Sequence, residues 1–184
     1  ITIPEGVSIV GDYAFNECIS LKEIELPTTL TDIKNGAFQN CWSLASIQIP
    51  DNVTTISQSS FYHCTSLIQV KFPAKLQSIS NSAFQECSAL TKINLPKGLL
   101  TIGSNAFYQC SALEEISFPS TLSSLGSNAF YRCTNLTEIT LPASLTYCYR
   151  PFYECHNIKK VTCLASVPPT LENNYDILYG VDKS

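Results

Sequence analysis

The sequence predicts an α/β solenoid of about seven 23-residue coils, a right-handed superhelix with one strand per coil on one face and short helical turns on the other. Three observations predict it. Proline recurs at Pro4, Pro27, Pro50, Pro73, Pro96, Pro119 and Pro142, always 23 apart. With proline at ~5% of residues, six further matches in register have a chance on the order of 10^-8. Phenylalanine keeps the same interval at Phe15, Phe38, Phe61, Phe84, Phe107 and Phe130, then arrives one residue early at Phe152. Cysteine follows at Cys18, Cys41, Cys64, Cys87, Cys110, Cys133 and Cys155, so seven of nine cysteines occupy one repeated position. A unit of this length cannot bury its own apolar face, so neighbouring copies must stack.

Each element follows from the consensus L-x-x-I-x-[LIF]-P-x-x-[LV]-x-x-I-x-x-x-A-F-x-x-C-x-x. Leu21, Ile24 and Leu26 end in apolar alternation of period two, the mark of a half-buried strand. Pro27 closes it, because proline has no N–H for the ladder. Leu30 and Ile33 then supply a second inward pair, expected as a short extended piece. Ala37, Phe38 and Cys41 place apolar groups three apart, as one turn of helix would. Small polar residues such as Ser104 and Asn105 suit the entry to that turn. Residues 1–163 are assigned to the solenoid, with its first coil truncated. Residues 164–184, where Leu164 stands in place of proline and Val167, Pro168, Pro169 and Leu171 break the pattern, are assigned to a terminal cap or interrupted coil.

Composition narrows the function. Apolar residues are 45% of the chain and the net charge is -4, which argues against nucleic acid, since that partner selects basic surfaces. No apolar run approaches the ~18 residues of a spanning helix, so no membrane insertion is expected. The chain has no Met and no charged-then-apolar leader, and reads as a segment of a longer protein.

The repeated unit resembles the BspA-type leucine-rich repeats of surface proteins from host-associated bacteria and some parasitic protists. The resemblance covers residues 1 to about 163. It implies a cell-surface or secreted module for adhesion or protein binding, without catalysis, and offers no conserved ligand pocket to carry over. The departures are the one-residue deletion before Pro151-Phe152 and Pro151 in place of alanine, which put the geometry of the last full coil in question.

Chemistry-bearing residues each have a plainer explanation. Cysteines stacked at the ~4.8 Å strand spacing stand parallel, whereas a disulfide wants Cβ atoms ~3.5–4.5 Å apart and converging. They are expected as small core hydrophobes, each thiol weakly satisfying a loop carbonyl as the Asn/Cys position of leucine-rich repeats resembles doing. A Cys148–Cys155 bridge near the deletion stays open. Metal binding, which wants close ligand pairs, finds only the dipeptides His63-Cys64 and Cys155-His156. No catalytic residue, metal or cofactor is expected, and an enzyme would need a domain outside this segment. Leu26-Pro27-Thr28-Thr29-Leu30 mimics a sorting signal of the LPxTG type but lies inside a repeat. Asn52-Val53-Thr54 and Asn135-Leu136-Thr137 match the N-glycosylation acceptor.

Binding candidates are the outward columns. One runs Glu23, Ser46, Gln69, Lys92, Glu115, Glu138 and Lys160; a second runs Glu25, Gln48, Lys71, Asn94, Ser117, Thr140 and Thr162. These positions differ between copies, as any solvated surface is free to do, and could also bind an extended protein, host or matrix, or a glycan. The residue after each phenylalanine, Asn16, Gln39, Tyr62, Gln85, Tyr108, Tyr131 and Tyr153, forms an aromatic strip with Trp42 nearby. It is expected either to pack on itself or to stack on sugar rings. The reading is a non-enzymatic recognition module, with a structural spacer or a glycan-binding module as the alternatives.

Overall fold

The computed structural model describes residues 1–166 and 170–171. Its strands are short: β1 (Ile9–Val10), β2 (Asp32–Ile33), β3 (Ser46–Gln48), β4 (Thr55–Ile56), β5 (Gln69–Lys71), β6 (Ser78–Ile79), β7 (Lys92–Ile93), β8 (Thr101–Ile102), β9 (Glu115–Ile116), β10 (Ser124–Leu125), β11 (Glu138–Leu141), β12 (Tyr147–Cys148), β13 (Lys160–Cys163) and β14 (Thr170–Leu171). Together they wind a β-solenoid of about seven turns.

Two β runs per coil replace the single one expected. The run after each proline builds one parallel eight-stranded sheet, β1-β2-β4-β6-β8-β10-β12-β14. Its partners lie 23 residues apart, as in Ile9 opposite Asp32, Ser78 opposite Thr101 and Tyr147 opposite Thr170. The run before each proline pairs only two by two, β3 with β5, β7 with β9 and β11 with β13. The physical reason is the missing proline donor: a run that ends in proline loses part of its ladder, and the run beyond it does not. Proline instead opens a turn, its carbonyl accepting from the leucine three residues on, as in Leu76 N–H to Pro73 O at 3.2 Å and Leu99 N–H to Pro96 O at 3.1 Å.

The helical turns are absent: among the described residues there is no helix. The stretch from Ser80 to Cys87 shows why. Its N–H groups alternate in direction. Ser82, Phe84 and Glu86 donate to Ser104 O, Ala106 O and Tyr108 O of the next coil at 2.9, 2.8 and 2.7 Å, while Ala83, Gln85 and Cys87 bond three residues back. A helix would direct every N–H along its own axis and leave nothing for the neighbouring coil. The alternation is bought with left-handed backbone, at Ser82 (φ 55) and Glu86 (φ 63) here and at the equivalent pair in every coil.

The core is one continuous stack. Phe38, Phe61, Phe84, Phe107, Phe130 and Phe152 have no exposed surface, and successive rings from Phe15 onward stand 5.1–5.6 Å apart, nearly parallel. The deletion is absorbed. Phe130 N–H still donates to Pro151 O at 2.7 Å, and Glu138 simply pairs with Lys160, 22 residues on. Of the segment 164–184 assigned to a cap, residues 167–169 and 172–184 lie outside those described; β14 pairs with β12 at the 23-residue interval.

Candidate functional site

The runs before the prolines carry the first candidate surface. Alternation sends Ile47, Val70, Ile93, Ile116 and Ile139 inward, each no more than 8% exposed. Their neighbours face solvent in consequence: Glu23, Glu25, Ser46, Gln48, Gln69, Lys71, Lys92, Asn94, Glu115, Ser117, Glu138, Thr140 and Lys160 are all exposed, and Thr162 half-buried. Cross-coil side-chain pairs are few, and apart from Thr2 Oγ1 donating to Glu25 Oε2 at 2.9 Å they are loose. Lys92 Nζ lies 3.5 Å from Glu115 Oε1, both well exposed, and Lys71 Nζ donates to Gln48 Oε1 at 3.4 Å. Such pairs hold little energy in water, so the face is a set of separately solvated groups on a rigid grid.

The turn side carries a second. Tyr108 and Tyr131 stack with centroids 4.5 Å apart, and Tyr131 tilts against Tyr153 at 5.4 Å. Tyr62 turns its hydroxyl to Glu86 Oε1 at 3.3 Å. All four tyrosines are half-buried, as are Gln39, Gln85 and Asn16. Arg132 covers the Tyr131 ring at 5.1 Å and binds Glu154 Oε2 at 2.6 Å. That pairing holds the Glu154 carboxyl below its usual range and the Arg132 guanidinium above it. Trp42 stands apart, 45% exposed, its ring edge-on to His63 at 6.0 Å.

Two features were missed by reading the sequence. The outward residues of the eight-stranded sheet line an open hollow of about 600 Å³, where Ser78, Thr101, Ser124 and Tyr147 follow one another beside Ser80, Gly103 and Gly126. The second left-handed position of each coil forms another column, from Asn40 through His63, Glu86, Gln109 and Arg132. The available signal was that both positions vary from coil to coil beside one steadily apolar neighbour, Ile79 after Ser78 and Cys87 after Glu86.

The cysteines are bound into the fold. Each repeated thiol from Cys41 to Cys155 is fully buried and donates to the phenylalanine carbonyl of the preceding coil, from Cys41 to Phe15 O at 3.1 Å through Cys155 to Phe130 O at 2.9 Å. Burial pushes Cys41 and Cys155 up to about 12 and Cys64, Cys87, Cys110 and Cys133 well above the ordinary thiol range. Thiols so protonated are poor nucleophiles and poor metal ligands. All nine cysteines are free, Cys148 and Cys155 included. Among the described residues no three His, Cys, Asp or Glu side chains converge as metal ligands, and no helix is long and apolar enough to cross a membrane.

The sequence model of the BspA type leucine-rich repeat region matches residues 1–99 and 77–173, in six copies. The chain belongs to the BspA-type leucine-rich repeat family. Solved structures agree on the fold of this BspA-type chain. The T. pallidum leucine-rich repeat protein TpLRR is 27% identical with a TM-score of 0.77, over 84% of this chain and 72% of its own. The pneumococcal vaccine antigen PcpA is 22% identical with a TM-score of 0.54, over 88% of this chain and 50% of its own. A leucine-rich cell surface protein of Faecalibacterium prausnitzii is 24% identical with a TM-score of 0.50, over 90% and 59%. No curated protein matches the sequence. Leucine-rich repeat scaffolds generally bind proteins and are generally not catalytic.

Proposed function

We propose that this BspA-type solenoid is a non-catalytic recognition module, working at the cell surface or after secretion, that binds an extended protein ligand through the run before each proline. One observation carries the reading: the core positions are nearly identical in every coil, whereas the exposed columns around Lys71, Lys92 and Asn94 change sign and size from coil to coil. A rigid grid with variable tips gives selectivity through many weak contacts in fixed register, since little conformational freedom is lost on docking. The surface description of the F. prausnitzii protein supports the proposed location.

The test is binding to immobilised fibronectin, laminin and type I collagen, read as dissociation constants. At least one should bind, and replacing Lys71, Lys92 and Asn94 together by alanine should weaken it at least ~10-fold, about 1.4 kcal/mol. Absence of binding to all three, or a triple variant that binds as well as the parent, overturns the proposal in favour of a spacer.

A further inference from the structure

The turn side holds a trough that the protein-binding reading does not use. One wall is the column His63, Glu86, Gln109 and Arg132; the other is Thr65, Ser88, Ser111 and Thr134. It is an open groove of about 340 Å³, within the size range of ligand sites. Trp42 precedes Thr65 by one coil in the second column, and its ring sits against His63. We propose that this trough binds an uncharged, extended β-1,4-linked oligosaccharide, about one sugar unit per coil, with Trp42 as the stacking platform at its end.

Five features point to a sugar. The first is the donor set: the planar amide of Gln109 is able to bridge two neighbouring hydroxyls, the partly engaged His63, Glu86 and Arg132 offer their remaining polar atoms singly, and the facing hydroxyls of Thr65, Ser88, Ser111 and Thr134 both donate and accept. The second is the platform. Trp42 offers a large apolar face beside polar partners, as a pyranose ring requires. The third is spacing, since coils repeat every 5.1–5.4 Å at the phenylalanine stack beneath the trough's side of the solenoid, close to the rise of one unit in an extended β-linked chain.

The fourth is charge. Glu86 faces His63 at 3.8 Å and Arg132 is bound to Glu154, so the trough offers no cationic field to a sulfated or phosphorylated chain. The fifth is the backbone. His63, Glu86 and Gln109 have their N–H groups committed to Gln85 O, Tyr108 O and Tyr131 O of the next coil, each at 2.7 Å, which leaves no edge for a peptide to extend as a strand. These residues also sit at φ of 56 to 63, where glycine or asparagine would be less strained.

Trp42 is the sole tryptophan, so its fluorescence reports directly on the trough. Titration of the full chain with cellotetraose or N-acetylchitotetraose should give a saturable change, with a dissociation constant on the order of 100 µM for at least one of them. By calorimetry, Trp42→Ala should weaken binding at least ~10-fold and Gln109→Ala several-fold, with thermal unfolding unchanged because both side chains reach solvent. Alanine at Lys71, Lys92 and Asn94 should leave sugar binding intact, which keeps this outcome separate from that of the protein-binding face. Failure of both tetrasaccharides at ~5 mM, undiminished binding by Trp42→Ala, or tighter binding of a heparin tetrasaccharide overturns the proposal.

Discussion

At the residue scale, the repeated cysteine does the work that asparagine would do with more polarity. Its thiol fills a small apolar gap and also donates to the carbonyl that the phenylalanine turn leaves inside, at 3.1 Å for Cys64 and Cys87. Accessibility follows. A thiol-exchange reagent added to native protein should modify exposed Cys163 and half-buried Cys18, and reach the other seven only on unfolding; rapid reaction of all nine would contradict the burial. Proton linkage gives a second readout of the same prediction. Burial raises the thiol pKa values in the folded state, so the stabilisation is complete below the unfolded thiol pKa, about 8.5, and is lost as pH rises above it. Stability should therefore fall as pH rises through the alkaline range, and Cys110→Ala should make that fall shallower. Ser60, where five other coils have alanine, is the one buried polar side chain among the described residues, and its hydroxyl is satisfied by Ser57 O at 2.9 Å.

At the element scale, the turn that replaced the helix is the most instructive departure from the sequence reading. An apolar spacing of three at Ala37, Phe38 and Cys41 is shared by a helical turn and by this alternating turn, because both return side chains to one side at that interval. What separates them is the left-handed pair, and only Gly36 (φ 59), Asn40, Asn105 and Asn128 hint at it in residue type. The penalty elsewhere should be measurable. Ser82→Gly should raise stability by about 0.5–1 kcal/mol, the relief of left-handed strain exceeding the entropy glycine adds to the unfolded chain. Gly36→Ala should lower it by more than 1 kcal/mol or so, since the new methyl would also meet the Tyr13 ring. Chemical denaturation of both variants checks the pair, and equal shifts of the same sign would refute the assignment.

At the scale of the whole molecule, stability is a sum of coil-to-coil interfaces rather than a property of one central core. Position along the stack should therefore set the effect of a mutation. Phe84, fully buried between Phe61 and Phe107, should cost about 3–5 kcal/mol on truncation to alanine. Phe15, half-buried with a ring neighbour at Phe38, should cost clearly less. Hydrogen exchange should show the Phe84→Ala chain opening around its middle coils while the outer ones stay protected; uniform loss of protection would speak against nearest-neighbour behaviour.

The amino-acid sequence alone determined the repeat length, the number of coils, most of the inward residues and the buried state of the repeated thiols from Cys41 to Cys155, though not the exposure of Cys163, because a period of 23 forces equivalent positions into contact whatever the local backbone does. It also marked the columns free to vary. Only the tertiary structure decided which run carries the continuous sheet, and that the phenylalanine segment turns without a helix. Both depend on where each N–H points, and that direction is settled by the neighbouring coil's carbonyls, a partner 23 residues away that no local pattern of side chains encodes. The trough beside Trp42 belongs to the same class: its two walls are adjacent only because the alternating turn lays Gln109 and Ser111 out on the surface, with their equivalents in the next coils alongside.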